Sequence, residues 1–411
     1  MVEAETYQAA LAGIDGLCWR ATDGEPVTNP QQAPAVPVAA IPPADLTHFF
    51  EQFARATSVS DIDPKIQLEG ARGCWWGEKH HCTFCGLNGS LMGFRAKSAD
   101  RLLAEITDAV RRHRTLDVVF ADNIMDMGYI RDLVPKLSEL DWDLRLFFEA
   151  KSNLSFAQLR ALADGKVTQL QPGVESLSSN VLRLMRKGVA AWQNVRMLRD
   201  CRTLAIYPGW NILYGFPGET ADDYAEVVRQ MSFLRHLTPP EGCYRVVLTR
   251  FSPYFQDPSL GLINRGPSAL LSKVYRLPKQ ELAQLGYLFE SEKAGIRGED
   301  VQALEAATRD WHTNHAGRRL VAIPDGSALR IVDERSPSPS EHVLKDPVET
   351  TAFHATLRGR SAAAVHRQLE AAGLSVSGEQ VADLIHSWHE QGWMFRDGDY
   401  FVALPTGLSY D

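Results

Sequence analysis

From about residue 65 the chain alternates short apolar runs with longer amphipathic stretches, the pattern of repeated strand-helix units that build a parallel sheet. The apolar runs predict strands over 65–68, 118–121, 144–149, 167–173, 210–213 and 244–248. The intervening stretches predict helices. Ser98 has the character of a helix cap, and Leu102, Leu103, Ile106 and Val110 follow it at the spacing of one helical face. Further helices are expected over 129–140, 156–164 and 221–234, with two more between Ser179 and Leu204. Six such units are fewer than the eight of a closed barrel, so the expected fold is α/β, an open partial (β/α)6 barrel.

Either side of this rhythm the pattern changes. Residues 1–44 are too short for a domain: a helix over 7–17, a strand at Cys18-Trp-Arg20, a turn at Asp23-Gly24, then an extended linker with Pro30, Pro34, Pro37, Pro42 and Pro43. Past Pro258 the strand signal fades. A turn over 267–274 and helices over 277–289 and 300–315 predict an extension that covers the open barrel, and 318–332 reads as a hairpin about Asp325-Gly326. Ser336-Pro-Ser-Pro-Ser340 reads as a linker. Helices over 361–372 and 379–391, then a hairpin about Asp397-Gly398, have the order of a winged helix. The expected organisation is 1–44 remnant and linker, 45–256 barrel, 257–335 extension, and 345–404 winged-helix-like domain.

Composition narrows the function classes. A chain of 411 residues, 45% hydrophobic and 23% charged, is that of an ordinary globular protein, and a net charge of -8 argues against a nonspecific nucleic-acid binder. The winged-helix-like segment itself carries four arginines, no lysine and six acidic residues over 350–404, which disfavours phosphate binding. Docking of a leader peptide by strand addition suits that charge, and so does a purely structural cap. No apolar run approaches the roughly 20 residues of a membrane helix. Glu3 and Glu5 stand where a targeting segment would be basic, so the expected location is cytoplasmic.

The candidate chemistry is concentrated at Cys74, Cys82 and Cys85, half of the six cysteines, with seven residues between the first two and two between the last pair. Three thiolates on a 4Fe-4S cluster leave one iron open, where a structural site would close with four. The open iron can chelate S-adenosylmethionine, and Phe84 is placed to stack on its adenine. His80 and His81 offer a Cys/His zinc site instead, although only one Cys-x2-Cys pair is present. A chain without a signal peptide disfavours disulfides, and Cys18, Cys201 and Cys243 read as ordinary thiols.

The run Cys74-Trp-Trp-Gly-Glu-Lys-His-His-Cys-Thr-Phe-Cys-Gly-Leu-Asn-Gly89 resembles the cluster loop of radical S-adenosylmethionine enzymes that mature ribosomally made peptides, closest to the cobalamin-dependent C-methyltransferases. The likeness continues through Phe94-Arg-Ala-Lys-Ser98, Asp122-Asn-Ile-Met-Asp126, Gln171-Pro-Gly-Val-Glu-Ser176, Leu184-Met-Arg-Lys-Gly188, Trp210-Asn-Ile-Leu-Tyr-Gly-Phe-Pro-Gly-Glu219 and Arg250-Phe-Ser-Pro-Tyr254. It implies Asp122 and Asn123 at the methionine end of the cofactor, Glu149 and Lys151 near its ribose and carboxylate, and Glu175 and Asn211 near cofactor or substrate. The bland readings stand beside these: Asp122 as a helix cap, Glu149 and Lys151 as a surface pair, Arg95 and Lys97 as solvated charges. Trp75, Trp76, Trp210, Tyr214 and Tyr254 read equally as a peptide groove or as core, and Tyr214 as a proton donor or a structural hydroxyl. The resemblance further implies a ribosomal precursor peptide as substrate, probed by a deoxyadenosyl radical, and an electron donor such as flavodoxin or ferredoxin. It makes C-methylation the leading outcome. The family's cobalamin domain precedes the barrel and needs on the order of a hundred residues, which residues 1–44 do not supply. Cobalamin-independent epimerisation or cross-linking is therefore the second expectation, and a noncatalytic iron-sulfur partner the third.

Overall fold

The computed structural model describes residues 2–30, 36–56, 62–89 and 91–410. The chain divides into two compact units, Met1–Pro42 and Pro43–Asp411. In the first, a helix over Val2–Ala12 precedes an antiparallel hairpin of Cys18–Arg20 with Pro26–Thr28. The helix ends five residues before the predicted limit, because Gly13 and the left-handed Gly16 cannot extend it. The Asn29 amide then ties the hairpin to the carbonyls of Leu11 and Ile14. Of the expected proline linker, residues 31–35 lie outside the described set, and Val38–Ala40 is a short 3-10 turn.

The second unit is built on a five-stranded parallel sheet: β1 Ile66–Leu68, β2 Asp117–Phe120, β3 Arg145–Ala150, β4 Val167–Pro172 and β5 Tyr207–Pro208, in that spatial order. A second parallel pair, β6 Ile212–Tyr214 with β7 Cys243–Arg245, continues the curve through a bridge from Glu175 to Ile212. The fifth predicted strand, 210–213, corresponds to β6, shifted to Ile212–Tyr214, and β5 at Tyr207–Pro208 is a further short strand that precedes the predicted range. Pro208 lacks a donor and Gly209 follows it, so the chain steps sideways before pairing again, and buried Trp210 anchors the step by donating Nε1 to the Thr238 carbonyl at 3.1 Å.

Strand alternation decides what faces where. On β3, Leu146, Phe148 and Ala150 are buried against the outer helices, which leaves Phe147 and Glu149 on the inner face. Phe120 and Phe148 stack at 4.1 Å across neighbouring strands and fix the sheet's outer layer. The capping Ser98 accepts from the Arg101 amide at the start of helix Ala99–His113, whose Leu102, Ile106 and Val110 are buried as expected. The predicted helix over 129–140 is two, Tyr129–Asp132 and Val134–Glu139, with Pro135 in the first turn of the second.

The region past Pro258 holds more strand than its sequence suggests. Leu248–Thr249, Asn264–Pro267 and Leu288–Ser291 form an antiparallel sheet, and the helix expected over 277–289 shrinks to Lys279–Leu285. The hairpin Leu320–Asp325 with Ala328–Asp333 gains a third strand, Ser340–Leu344, which begins where the linker was expected to end. Helices Pro347–Thr356, Ala362–Ala371 and Gly378–Glu390, with the hairpin Met394–Asp397 and Tyr400–Ala403, give the winged-helix order. This last segment shares one apolar core with β6, β7 and helix Asp222–Met231. Fully buried Arg199 spans the junction, donating to the carbonyls of Ala403 (2.7 Å) and Leu357 (2.8 Å) and to Asp200.

Candidate functional site

The ends of β2, β3 and β4 and the loop after β1 enclose a cavity of about 190 Å³. Cys74, Cys82 and Cys85 all line it, with Phe84, Asn123, Glu149, Lys151, Glu175 and Lys187 around them. Residues so far apart in sequence meet here because a parallel sheet sends every strand's C-terminal loop to the same side.

The cysteine loop is held mainly through its backbone. The Cys74 amide donates to the Met92 carbonyl (3.1 Å), the Thr83 amide to Met185 (3.0 Å), and the Tyr254 amide to Thr83 (3.1 Å). Thr249 Oγ1 donates to the Phe84 carbonyl at 3.0 Å. Gly86 allows that last approach, since a Cβ there would lie 2.1 Å from the Arg250 carbonyl oxygen. The Gly77 amide donates to Cys74 Sγ at 3.3 Å. Burial pushes the Cys85 thiol up to about 11 and raises Cys82 as well.

Two lysines set the electrostatics. Lys187 Nζ is 3.4 Å from Glu175 Oε1 and 5.8 Å from the Phe84 ring centre. Burial works against its charge, but Glu175 and the neighbouring thiols outweigh burial and raise its pKa. Lys151 donates to the Lys187 carbonyl and lies 3.6 Å over the Trp76 ring. Desolvation, then repulsion from Lys187, lowers Lys151 to about 8. Desolvation and Glu175 raise Glu149. Glu149 and Lys151 are therefore not the surface pair of the bland reading.

Backbone strain collects around the cavity. His81, Glu175 and Arg186, none of them glycine, adopt positive φ of 39°, 58° and 57°. Gly188 follows with φ 63°, and a Cβ there would lie 2.1 Å from the Trp76 ring. Trp76 Nε1 donates to the Arg186 carbonyl at 3.1 Å, so the turn and the indole hold each other.

Other expected residues are placed elsewhere. Asp122 is buried beneath the cavity, accepting from the Gly70 amide at 2.8 Å, and desolvation raises it to about 6. It is neither a helix cap nor a wall of the cavity. Asn211 and Tyr214 are also absent from the walls. Tyr214 faces away on β6, with Arg245 4.9 Å from its ring centre. Trp210 and Tyr254 are core, and Trp75 donates to the Met125 carbonyl. Lys97 is buried on Glu105 at 2.6 Å rather than solvated. Neither His80 nor His81 lines the cavity: His80 stacks on Trp76 and His81 Nε2 donates to the Cys85 carbonyl at 2.8 Å. Among the described residues no group of three or more His, Cys, Asp or Glu is gathered for a single metal ion. The three thiols instead border a chamber, a donor set that fits a cluster with one uncapped iron.

Lys187 is the site residue that sequence reasoning missed. Its motif was visible in Leu184-Met-Arg-Lys-Gly188, and the glycine after a basic pair marks a turn, but nothing in the spacing indicates which cation points inward.

The radical SAM superfamily model matches residues 68–231. The chain is 27% identical over 188 residues to a ribosomal protein uS12 methylthiotransferase RimO of Salinispora arenicola, covering 43% of this chain and 36% of the relative. It is 26% identical over 284 residues to a tRNA-2-methylthio-N(6)-dimethylallyladenosine synthase of Thermobifida fusca, covering 62% of this chain and 54% of the relative. The chain thus spans about a third to about half the length of these two relatives. The cobalamin-dependent S-adenosylmethionine radical enzyme OxsB, solved with aqua-cobalamin and S-adenosylmethionine, has a similar fold, with a TM-score of 0.54 and 16% identity over 77% of this chain and 49% of that one. The fold is a mixed α/β radical SAM fold with a parallel sheet.

Proposed function

We propose, from the premise that residues 68–231 are a radical SAM domain, that this chain is an enzyme of methyl or related group transfer acting on a carbon of a ribosomally made peptide. The carrying observation is the convergence of Cys74, Cys82 and Cys85 on one cavity with Lys151, Lys187, Glu149 and Glu175 in its walls. A 4Fe-4S cluster with bound S-adenosylmethionine would supply one-electron cleavage of the sulfonium to a 5'-deoxyadenosyl radical.

The chain's own contribution is binding, orientation and charge. Cys74, Cys82 and Cys85 would hold the cluster, and Phe84 offers a ring beside it. Lys151 and Lys187 place positive charge where three thiolates and a carboxylate need balancing. Glu149 and Glu175 accept hydrogen bonds from an ammonium or from ribose hydroxyls. Glu219 holds the loop after β6 still, accepting from the amides of Gly215 (2.7 Å) and Ile296 (2.9 Å) and from the Tyr224 hydroxyl (2.7 Å).

Group transfer is the reading that the methylthiotransferase relatives support, and the peptide substrate follows from the motif resemblance. The test is anaerobic reconstitution with dithionite. The expected results are formation of 5'-deoxyadenosine and, with a candidate peptide, a mass gain of one methyl. A methylthio gain identifies sulfur transfer, and an unchanged mass with an inverted centre identifies epimerisation. Failure of the loaded protein to cleave the cofactor identifies a noncatalytic partner. Repeating the assay with and without added cobalamin decides whether that cofactor takes part.

A further inference from the structure

A second chamber lies beside the cysteine cavity, and the Trp76 indole is a wall of both. It is larger, about 530 Å³, and its walls include Arg183, Arg186 and His80 but no carboxylate. The Arg186 guanidinium has no hydrogen bond or ion pair among the described residues, and its backbone is held at φ 57° by the turn that clasps Trp76. Arg183 is exposed on helix Ser179–Leu184, with Asn180 Oδ1 beside it. Three acids around this space hold hydrogen bonds of their own. Asp223 accepts from the Asn180 side-chain amide at 3.0 Å, Asp397 accepts from Ser179 Oγ (2.5 Å) and from the Trp192 amide (3.1 Å), and Asp257 accepts from the Ser259 hydroxyl and amide. Asp257 also interacts electrostatically with Arg186.

We propose that this chamber is a substrate subsite that seats the carboxylate of an acidic residue in a peptide, held by Arg183 and Arg186 while the adjoining segment passes Trp76 toward the cysteine cavity. The inference rests on the functional reading above for the identity of the neighbouring cavity. Guanidinium groups match a carboxylate with charge-assisted paired bonds. A local cationic chamber in a chain of net charge -8 has to act at short range, because the overall field repels anions. The same field disfavours RNA, whose affinity rests on many phosphate contacts, while this chamber offers two arginines.

The test is fluorescence anisotropy of the full chain with labelled probes of equal length: an alternating Glu-Ser peptide, its Gln-Ser counterpart, a Lys-Ser peptide and oligouridylate. The Glu-Ser peptide is expected to bind roughly tenfold more tightly than the Gln-Ser peptide at low salt. The double variant Arg183→Gln, Arg186→Gln should lose that margin. Charge reversal by Arg183→Glu with Arg186→Glu should transfer the preference to the Lys-Ser peptide, a gain that misfolding cannot produce. Equal binding of the Glu-Ser and Gln-Ser peptides, or a margin unchanged in the variants, overturns the proposal. Tighter oligouridylate binding that the same variants abolish overturns it in favour of RNA. Substrate-free cleavage of S-adenosylmethionine separates the two readings. If the reconstituted chain fails to cleave while the peptide margin holds, the enzymatic reading falls and the subsite stands.

Discussion

At the scale of single residues, burial sets the behaviour of the charged groups. Desolvation lifts Asp122 to about 6, above the ordinary 3.8, so the folded chain holds this proton more tightly than the unfolded chain. Stability therefore falls as pH rises from about 4 to about 6, by on the order of 2–3 kcal/mol for a shift of this size. Asp122→Asn, which keeps an acceptor for the Gly70 amide, is expected to flatten that slope, as read from urea midpoints across the interval. Lys187 is expected to act on the bound cofactor rather than on the cluster. Lys187→Met should weaken S-adenosylmethionine binding by roughly tenfold or more while cluster absorbance is retained, a split that equilibrium dialysis and visible spectra resolve. Replacing Cys74, Cys82 or Cys85 with serine should lose both.

At the scale of elements, the turn over residues 186–188 is the most constrained piece of the site. Gly188→Ala meets a left-handed backbone cost of about 1–2 kcal/mol, with the Trp76 ring clash in addition. It should lower the denaturation midpoint and displace Trp76, seen as a changed indole emission. Elements of this kind also mark how far the sequence could be read. The parallel strands, the Ser98 cap and the gathering of Glu149, Lys151 and Glu175 at strand ends were legible, because period-two and period-3.6 patterns encode them directly. The strand Tyr207–Pro208 was not, since two residues ending in a proline carry no alternation and only the pairing with Gln169 and Leu170 defines them. Nor were the strands Asn264–Pro267 and Leu288–Ser291, which are short and half exposed, with no alternation long enough to show. Tyr214 illustrates the remaining loss: it was expected just past the end of a strand over 210–213, whereas it closes β6, and the face it presents depends on where that strand starts.

At the scale of the whole molecule, the segment after Pro347 is an integral part of the second unit, because its apolar residues and those of β6, β7 and helix Asp222–Met231 form one core. Ending the chain before Pro347 would uncover that core and strand the buried Arg199 without its Leu357 and Ala403 acceptors, a loss of several kcal/mol. The truncated chain is expected to be recovered as aggregate, not as a folded barrel, as judged by size-exclusion chromatography and circular dichroism. The Trp76 indole, finally, is a party wall: Lys151 presses on it within one chamber, and the other chamber opens along it. A guest in either space touches the same ring, and whatever shift of that ring one guest imposes changes the other's dissociation constant by the same factor in both directions.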